Sequence, residues 1–365
     1  MENISEDEKV LKQYYSRYGG FWVYPDMLDY CYLVNPYFNR SKIIDEMEAN
    51  FRMLVSEYPA GMNVNSKLAS SCWDIKEEYI IPGNGAAELI KTLMENLEGK
   101  VGVIRPTFEE YPNRMPEDQV ITFVSQKADF RYSADDLIAF FSKNPVDTLL
   151  LINPDNPSGN FITMEGITKL AEWTKERGVK FVLDESFVDF SVGYEHNSWL
   201  HNDLLEEYPN MFVMKSISKS YGVPGLRLGI LCSSNKELIA KMKKQVSIWN
   251  INSFAEFFMQ IYPKYKDDYK IACDQFIQAR EDFEKDLKEI PFIRVMPSQA
   301  NYFFVEVLPP YQPKELCSIL LKDYNILASA CLAKKGIEKN KYMRIAVRNH
   351  RDNAMFVKAL KKLIK

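Results

Sequence analysis

Lys219 stands in a stretch that assembles the parts of a covalent catalyst: Ser216-Ile217-Ser218-Lys219-Ser220-Tyr221-Gly222-Val223-Pro224-Gly225-Leu226-Arg227-Leu228-Gly229. It follows an apolar run, Met211-Phe212-Val213-Met214, that reads as a buried strand. A lysine whose pKa is lowered by burial and neighbours can form a Schiff base with a carbonyl compound. Ser216, Ser218 and Arg227 offer what a phosphate needs: two hydroxyl donors and one cationic fork. Taken alone, the same stretch also reads as a Ser/Gly turn carrying a solvated lysine.

Other chemistry-bearing clusters also lie just beyond apolar runs. After 148–152 comes Asn153-Pro154-Asp155-Asn156-Pro157-Ser158-Gly159, and after 181–183 comes Asp184-Glu185-Ser186-Phe187. Arg344 lies in Tyr342-Met343-Arg344-Ile345-Ala346-Val347-Arg348. Upstream, Gly83-Asn84-Gly85-Ala86-Ala87 runs straight into a helical pattern of Leu89, Ile90, Leu93, Met94 and Leu97. A glycine turn that opens a helix presents free N–H groups and the positive end of the dipole to an anion. Each cluster has a plainer reading: a turn, a solvated strand end, a surface arginine, an ordinary strand–turn–helix junction.

The elements that must position these residues follow from periodicity. Short apolar strands are expected at 101–104, 120–124, 148–152, 181–183, 212–214 and 228–232, with helices between several of them, such as 134–142 and 164–175. That alternation indicates an α/β domain with a mostly parallel sheet. In such sheets ligands bind beyond the carboxyl ends of the strands, where these clusters lie. A polar helix is expected over 1–18, and another over 41–55 with Ser41 as its N-cap. After about residue 235 a charged helical stretch runs through 236–246 and resumes over 253–290 with an interruption near Pro263. Strands at 293–296, 302–307 and 343–347 and helices at 313–323 and 352–364 then form a smaller α+β domain. The expected organisation is an N-terminal arm (1–40), a large domain (41–240, with part of the small domain near its start) and a small C-terminal domain (241–365).

Asp184 stands 28 positions after Asn156, and Lys219 stands 35 after Asp184. In this order and spacing the four motifs around Asn156, Asp184, Lys219 and Arg344 resemble the fold-type-I pyridoxal-phosphate (PLP) enzymes of the class I/II aminotransferase family. Within it they are most similar to the branch of histidinol-phosphate aminotransferase and threonine-phosphate decarboxylase. The resemblance covers roughly residues 30 to 360. It implies the aspartate aminotransferase-like fold of PLP-dependent transferases, a homodimer with shared active sites, and pyridoxal 5'-phosphate as cofactor. Lys219 then forms the Schiff base and serves as the base, and Asp184 faces the ring nitrogen. Asn156 donates to the ring oxygen and Phe108, after Pro106-Thr107, stacks on the ring. The phosphate falls to Ser216, Ser218, Arg227, the amides of Gly85, Ala86 and Ala87, and Tyr58 of a partner chain. For the substrate the resemblance implies Arg344 at a carboxylate and Asn35 in the arm beside it.

One position departs from the pattern. Family aminotransferases usually carry tyrosine where this chain has Phe187, which removes a hydrogen bond to the ring oxygen and is expected to raise the pKa of the Schiff-base nitrogen. The run Asp184-Glu185-Ser186-Phe187-Val188-Asp189-Phe190 is closer to the phospho-amino-acid decarboxylases of the branch, as is Arg344-Ile345-Ala346-Val347-Arg348. Strand period puts Arg344 and Arg348 on one face. They can hold a substrate with two anionic groups, or Arg348 can lie in solvent just past the strand. The main expectation is an aminotransferase acting on a small amino acid, with or without a phosphate or phosphonate, and a 2-oxo acid. The alternative is a decarboxylase of a phospho-amino acid. A non-catalytic protein on this fold is a third reading, opposed by the intact Lys219, Asp184, Asn156 and Arg227.

Composition limits the rest. Hydrophobic residues make up 46% of 365 and charged residues 26%, ordinary for a soluble globular enzyme of about two domains. A net charge of -4 gives no basic surface for nucleic acid. The six cysteines form no CxxC pair and there are three histidines, so no metal site is expected. No apolar run reaches the roughly 18 residues of a membrane span. The polar start, Met1 to Lys12, shows no signal peptide, and a reducing cytoplasm with free thiols is expected.

Overall fold

The computed structural model describes residues 6–32, 34–38, 42–332 and 334–364. Leu33, Ser41 and the N-cap expected there lie outside the described residues. The strands are β1 (Leu28–Asp29), β2 (Ile80–Asn84), β3 (Val101–Arg105), β4 (Val120–Val124), β5 (Thr148–Ile152), β6 (Lys180–Asp184), β7 (Met211–Ser216), β8 (Leu228–Cys232), β9 (Ile293–Val295), β10 (Tyr302–Val307), β11 (Ile326–Leu327) and β12 (Tyr342–Ala346).

Seven of them form one sheet in the order β2-β8-β7-β6-β5-β3-β4, parallel except for β8, which pairs antiparallel with both neighbours. The fold is the α/β one expected. Central strands such as β5 and β7 are buried at every position, because helices cover both faces of a parallel sheet and leave no solvated side for polar residues. Helix Ala134–Lys143 starts at Ser133, whose hydroxyl accepts from the Asp136 amide while the Asp136 carboxylate accepts from the Ser133 amide. From β3 the chain winds outward to β4, whereas from β5 it winds the other way through β6 and β7. The loops after β3 and β5 therefore part above the sheet and leave a crevice.

A three-stranded antiparallel sheet, β12-β10-β9, forms the second layer system, and β1 pairs in parallel with β11. The N-terminal segment is thereby tied to the C-terminal part of the chain, with Leu28 opposite Ile326. Helix Lys266–Lys288 joins the two sides: Phe276 packs on Phe190 with ring centroids 4.6 Å apart, and Phe283 packs on Tyr30 and Phe303. Helix Ser253–Ile261 lies beyond residue 240 but packs its Ala255 and Phe258 in the same core as Ile217 and Tyr221, directly behind the lysine turn. The helical region expected over 41–55 is two helices, Lys42–Ala49 and Phe51–Ser56, broken at Asn50, whose Nδ2 donates back to the Glu46 carbonyl at 2.8 Å. Among the described residues no helix is long and apolar enough to cross a membrane, and no cluster of side chains could hold a metal ion.

Candidate active site

Lys219 sits in a single helical turn, Ile217–Ser220, that starts where β7 ends. Its Nζ lies 3.8 Å from the centroid of the Phe187 ring and 6.0 Å from that of Phe108. Burial pushes the amine down to about 8; Asp184 opposes this and Arg344 adds to it. The backbone holds the turn from the far side, because the Asn35 amide donates to the Lys219 carbonyl at 2.9 Å.

Asp184 ends β6 and is buried. Its Oδ2 accepts from the Tyr111 hydroxyl at 2.8 Å and its Oδ1 from the Ser186 amide at 2.9 Å. The carboxylate is thus fixed by two donors, and Tyr111 is kept protonated by burial and by that same charge. Asn156 follows β5. Its Oδ1 accepts from Arg344 Nη1 at 3.0 Å, which orients the amide so that Nδ2 is left to donate elsewhere. Arg344 Nη2 donates to the Cys31 carbonyl at 2.8 Å, while its Nε is buried with no partner among the described residues.

At the other end of the crevice, Gly85 opens helix Gly85–Met94 with φ +72°. A Cβ built there would lie 2.3 Å from Arg227 Nη2, so only glycine lets the guanidinium sit over the helix N-terminus. Arg227 itself has φ +54°, a conformation costly for a residue with a side chain. The buried Ser218 hydroxyl has no partner among the described residues. A helix N-terminus, a guanidinium over it and an orphaned hydroxyl form a ready seat for a phosphate. The Ser216 amide donates to Ser186 Oγ at 2.9 Å, which locks the β6 and β7 ends together.

The structure therefore gathers Lys219, Asp184, Phe108, Asn156 and Arg344 at the centre, with Gly85, Ala86, Ala87, Ser216, Ser218 and Arg227 beside them. Tyr58 stands apart: it is 79% exposed and packs tilted against Trp249 with centroids 4.7 Å apart. The Asn35 side chain is turned to backbone, accepting from the Tyr37 amide and donating to the Ala272 carbonyl. Arg348 lies past the end of β12. Its Nε meets Asp352 at 2.9 Å and its Nη1 donates to the Asp29 carbonyl, so the face shared with Arg344 in an ideal strand is not realised. Tyr111, Tyr302 and Lys334 were not singled out by the sequence reading. Tyr302 stands edge-on to Phe187 and donates to the Asp155 carbonyl at 2.6 Å. Only the aromatic character of Tyr111, three residues beyond Phe108, hinted at its place.

A second cluster lies behind the site. Lys215 is buried and its Nζ is 2.8 Å from Asp189 and 3.9 Å from Glu185. Asp189 Oδ2 also accepts from Ser220 and Tyr269, both at 2.8 Å, and Glu185 accepts from Ser198 and the Trp199 amide. Burial pushes Glu185 up to about 7, against the pull of Lys215.

Comparisons with known proteins place the chain in a family. The family profile described as "Aminotransferase class I and II" matches residues 64–362. The CMP-5'-(3-aminopropyl)phosphonate synthase of Streptomyces rubellomurinus is 30% identical over 98% of this chain and 56% of its own length, so the chain spans little more than half of that relative. The L-serine phosphate decarboxylase of Sulfurospirillum multivorans is 29% identical over 93% of this chain and 88% of its own. A solved structure of a decarboxylase from Sulfurospirillum multivorans superposes with a TM-score of 0.87 at 26% identity, covering 98% of this chain and 97% of the other.

Proposed function

The chain belongs to the class I and II aminotransferase family, in the branch of histidinol-phosphate aminotransferase and threonine-phosphate decarboxylase, with PLP as its cofactor; from that premise we propose that it decarboxylates a small amino acid bearing a phosphate or phosphonate. The aminotransferase activity first expected is the less supported of the two readings. The observation that carries the choice is the likeness, in sequence and in fold and over most of both chains, to decarboxylases, one of them of L-serine phosphate. Phe187 in place of the aminotransferases' tyrosine points the same way.

The side chains fit the cofactor. Ser218 Oγ, Arg227 and the Gly85–Ala87 amides would take its phosphate, Asp184 would face its ring nitrogen, Asn156 Nδ2 its ring oxygen and Phe108 its flat face. Bound there, PLP supplies an electron sink for a bond broken at Cα. Asp184, fixed by Tyr111 and Ser186, would hold a proton on the ring nitrogen. Lys219 carries the proton that ends on Cα once the carboxyl carbon has left as carbon dioxide. Phe187 and Phe108 frame its amine with apolar surface, which keeps its pKa near the working range. In the transaminating alternative the same amine would serve as the base that takes the proton from Cα.

The active form in this reading is a homodimer. Tyr58, Phe51, Val55 and Ile248 form an exposed apolar face, 59 to 79% accessible, that a second copy would cover, bringing Tyr58 to the partner's cofactor phosphate. The purified holoprotein mixed with O-phospho-L-serine and O-phospho-L-threonine tests the reaction. Carbon dioxide without 2-oxo acid supports decarboxylation. A 2-oxo acid, with conversion of the cofactor to its amine form, replaces it with transamination.

A further inference from the structure

Lys334 lies on the loop between β11 and β12. The loop is pressed onto the segment that follows β3. Gly336 has φ +83°, and a Cβ there would lie 2.8 Å from Arg105 Cβ and 3.4 Å from Pro106 N, so the close approach requires glycine. The Lys334 amide turns back to the Cys331 carbonyl at 3.2 Å, and its Nζ donates to the Thr107 carbonyl. The ammonium is thereby set one residue from Phe108, the ring that faces Lys219. On the same loop, Ser329 bridges to Arg344.

Lys334 and Arg344 share one condition. Several shielded cations of the molecule have carboxylate partners: Arg105 has Glu109, Arg348 has Asp352, Lys215 has Asp189. Among the described residues neither Lys334 nor Arg344 has a carboxylate within ion-pair distance. Glu109 is already held by Arg105 at 3.1 Å, and Asp155 is bonded to Ser158. Lys334 uses one of its donors on Thr107, and Arg344 Nε is buried without a partner. Burial and the Arg344 guanidinium depress the Lys334 pKa, with Cys331, Glu109 and Asp155 opposing. Two partly buried positive charges that repel each other are costly unless an anion joins them.

We propose that Lys334 and Arg344 together form the seat for the substrate's phosphate or phosphonate, with Lys334 as the residue that makes the enzyme select a phosphorylated amino acid. The inference rests on the decarboxylase reading above and names its anion site. A phosphate monoester carries about -1.5 to -2 charges at neutral pH, which matches two cations and exceeds one. With Arg344 engaged by the phosphate, the substrate carboxylate is free of a bidentate clamp. It can then stand perpendicular to the cofactor ring, the orientation its loss requires.

Dissociation constants of O-phospho-L-serine and L-serine, and of O-phospho-L-threonine and L-threonine, read from the cofactor absorbance of the holoprotein, test it. The wild type is expected to bind the phosphorylated member of a pair more tightly. In Lys334→Met that ratio should fall roughly 10- to 100-fold, the worth of one charged hydrogen bond, and Lys334→Arg should restore most of it. An unchanged cofactor spectrum in both variants shows that the fold and the Lys219 site persist. A wild type with no preference overturns the phospho-amino-acid reading itself. A wild-type preference that survives intact in Lys334→Met overturns the role of Lys334 and leaves that reading standing.

Discussion

Lys215 and Lys219 are four positions apart, one at the end of β7 and the other in the turn that follows, yet they occupy opposite chemical situations. Lys215 points behind the sheet, where burial alone would depress its pKa; Asp189 and Glu185 outweigh burial and raise it. Lys219 points into the crevice, where it meets two phenyl rings, and burial lowers its amine to about 8. The difference teaches that residue type and burial do not make a lysine reactive; the absence of a counter-ion does. The two sites are also coupled through the chain. Glu185 follows Asp184, Lys215 precedes Ser216 and Ser220 follows Lys219, so the ion cluster anchors the two segments, after β6 and at the end of β7, that carry Asp184 and Lys219.

The same substitution at the two lysines gives the sharpest contrast. Lys219→Met should lower turnover by about 10⁴-fold, the upper range for loss of a proton-transfer group, in an assay of carbon dioxide release. Its apoprotein should nevertheless unfold at higher urea, by ~1 kcal/mol, because an amine destabilised by its desolvation has been removed. Lys215→Met should instead destabilise the apoprotein by about 3–5 kcal/mol, since Asp189 and Glu185 are left buried without their cation. Equal urea midpoints for the two variants would break the comparison.

A smaller effect is expected in the pH dependence of cofactor capture. Lys219 attacks as the neutral amine, and its pKa is lowered in the folded protein. The rate at which apoprotein takes up PLP should therefore rise with pH and level off above about 8, near the value its burial sets. A rate still climbing as steeply at pH 10 would mean an unperturbed lysine. Phe187→Tyr places a hydroxyl close to Lys219 and should move the pH midpoint of the bound cofactor's absorbance down by about one unit, ~1.4 kcal/mol. An unmoved midpoint removes Phe187 from the account. Ser220→Ala, which deletes one donor to Asp189, should cost ~1 kcal/mol of stability while the spectrum of bound PLP keeps its shape.

Much of this was legible along the chain. The strands that end at Asp184 and just before Asn153 and Lys219 are runs of buried apolar residues, and period and length reveal them. Gly85 before a helical pattern is a local signal of the same kind. What escaped was set by partners far away in sequence. Tyr111 meets Asp184 across 73 positions, Lys334 meets Thr107 across 227, and Arg344 meets Cys31 across 313. The two-residue strands β1 and β11 were missed because so short a run has no period. Arg348 illustrates the reverse error: alternation held only to Ala346, after which Asp352 and the Asp29 carbonyl drew its guanidinium aside.

The sequence by itself determined the sheet, the order of the loops along its rim and the lysine, aspartate, asparagine and arginine that those loops carry, because strand ends and helix starts are decided by neighbours in the chain. Only the tertiary structure decided which charges are neutralised. Lys215 finds Asp189, Arg105 finds Glu109, and among the described residues Arg344 and Lys334 are left with no carboxylate within ion-pair distance, since pairing depends on distances that folding alone creates.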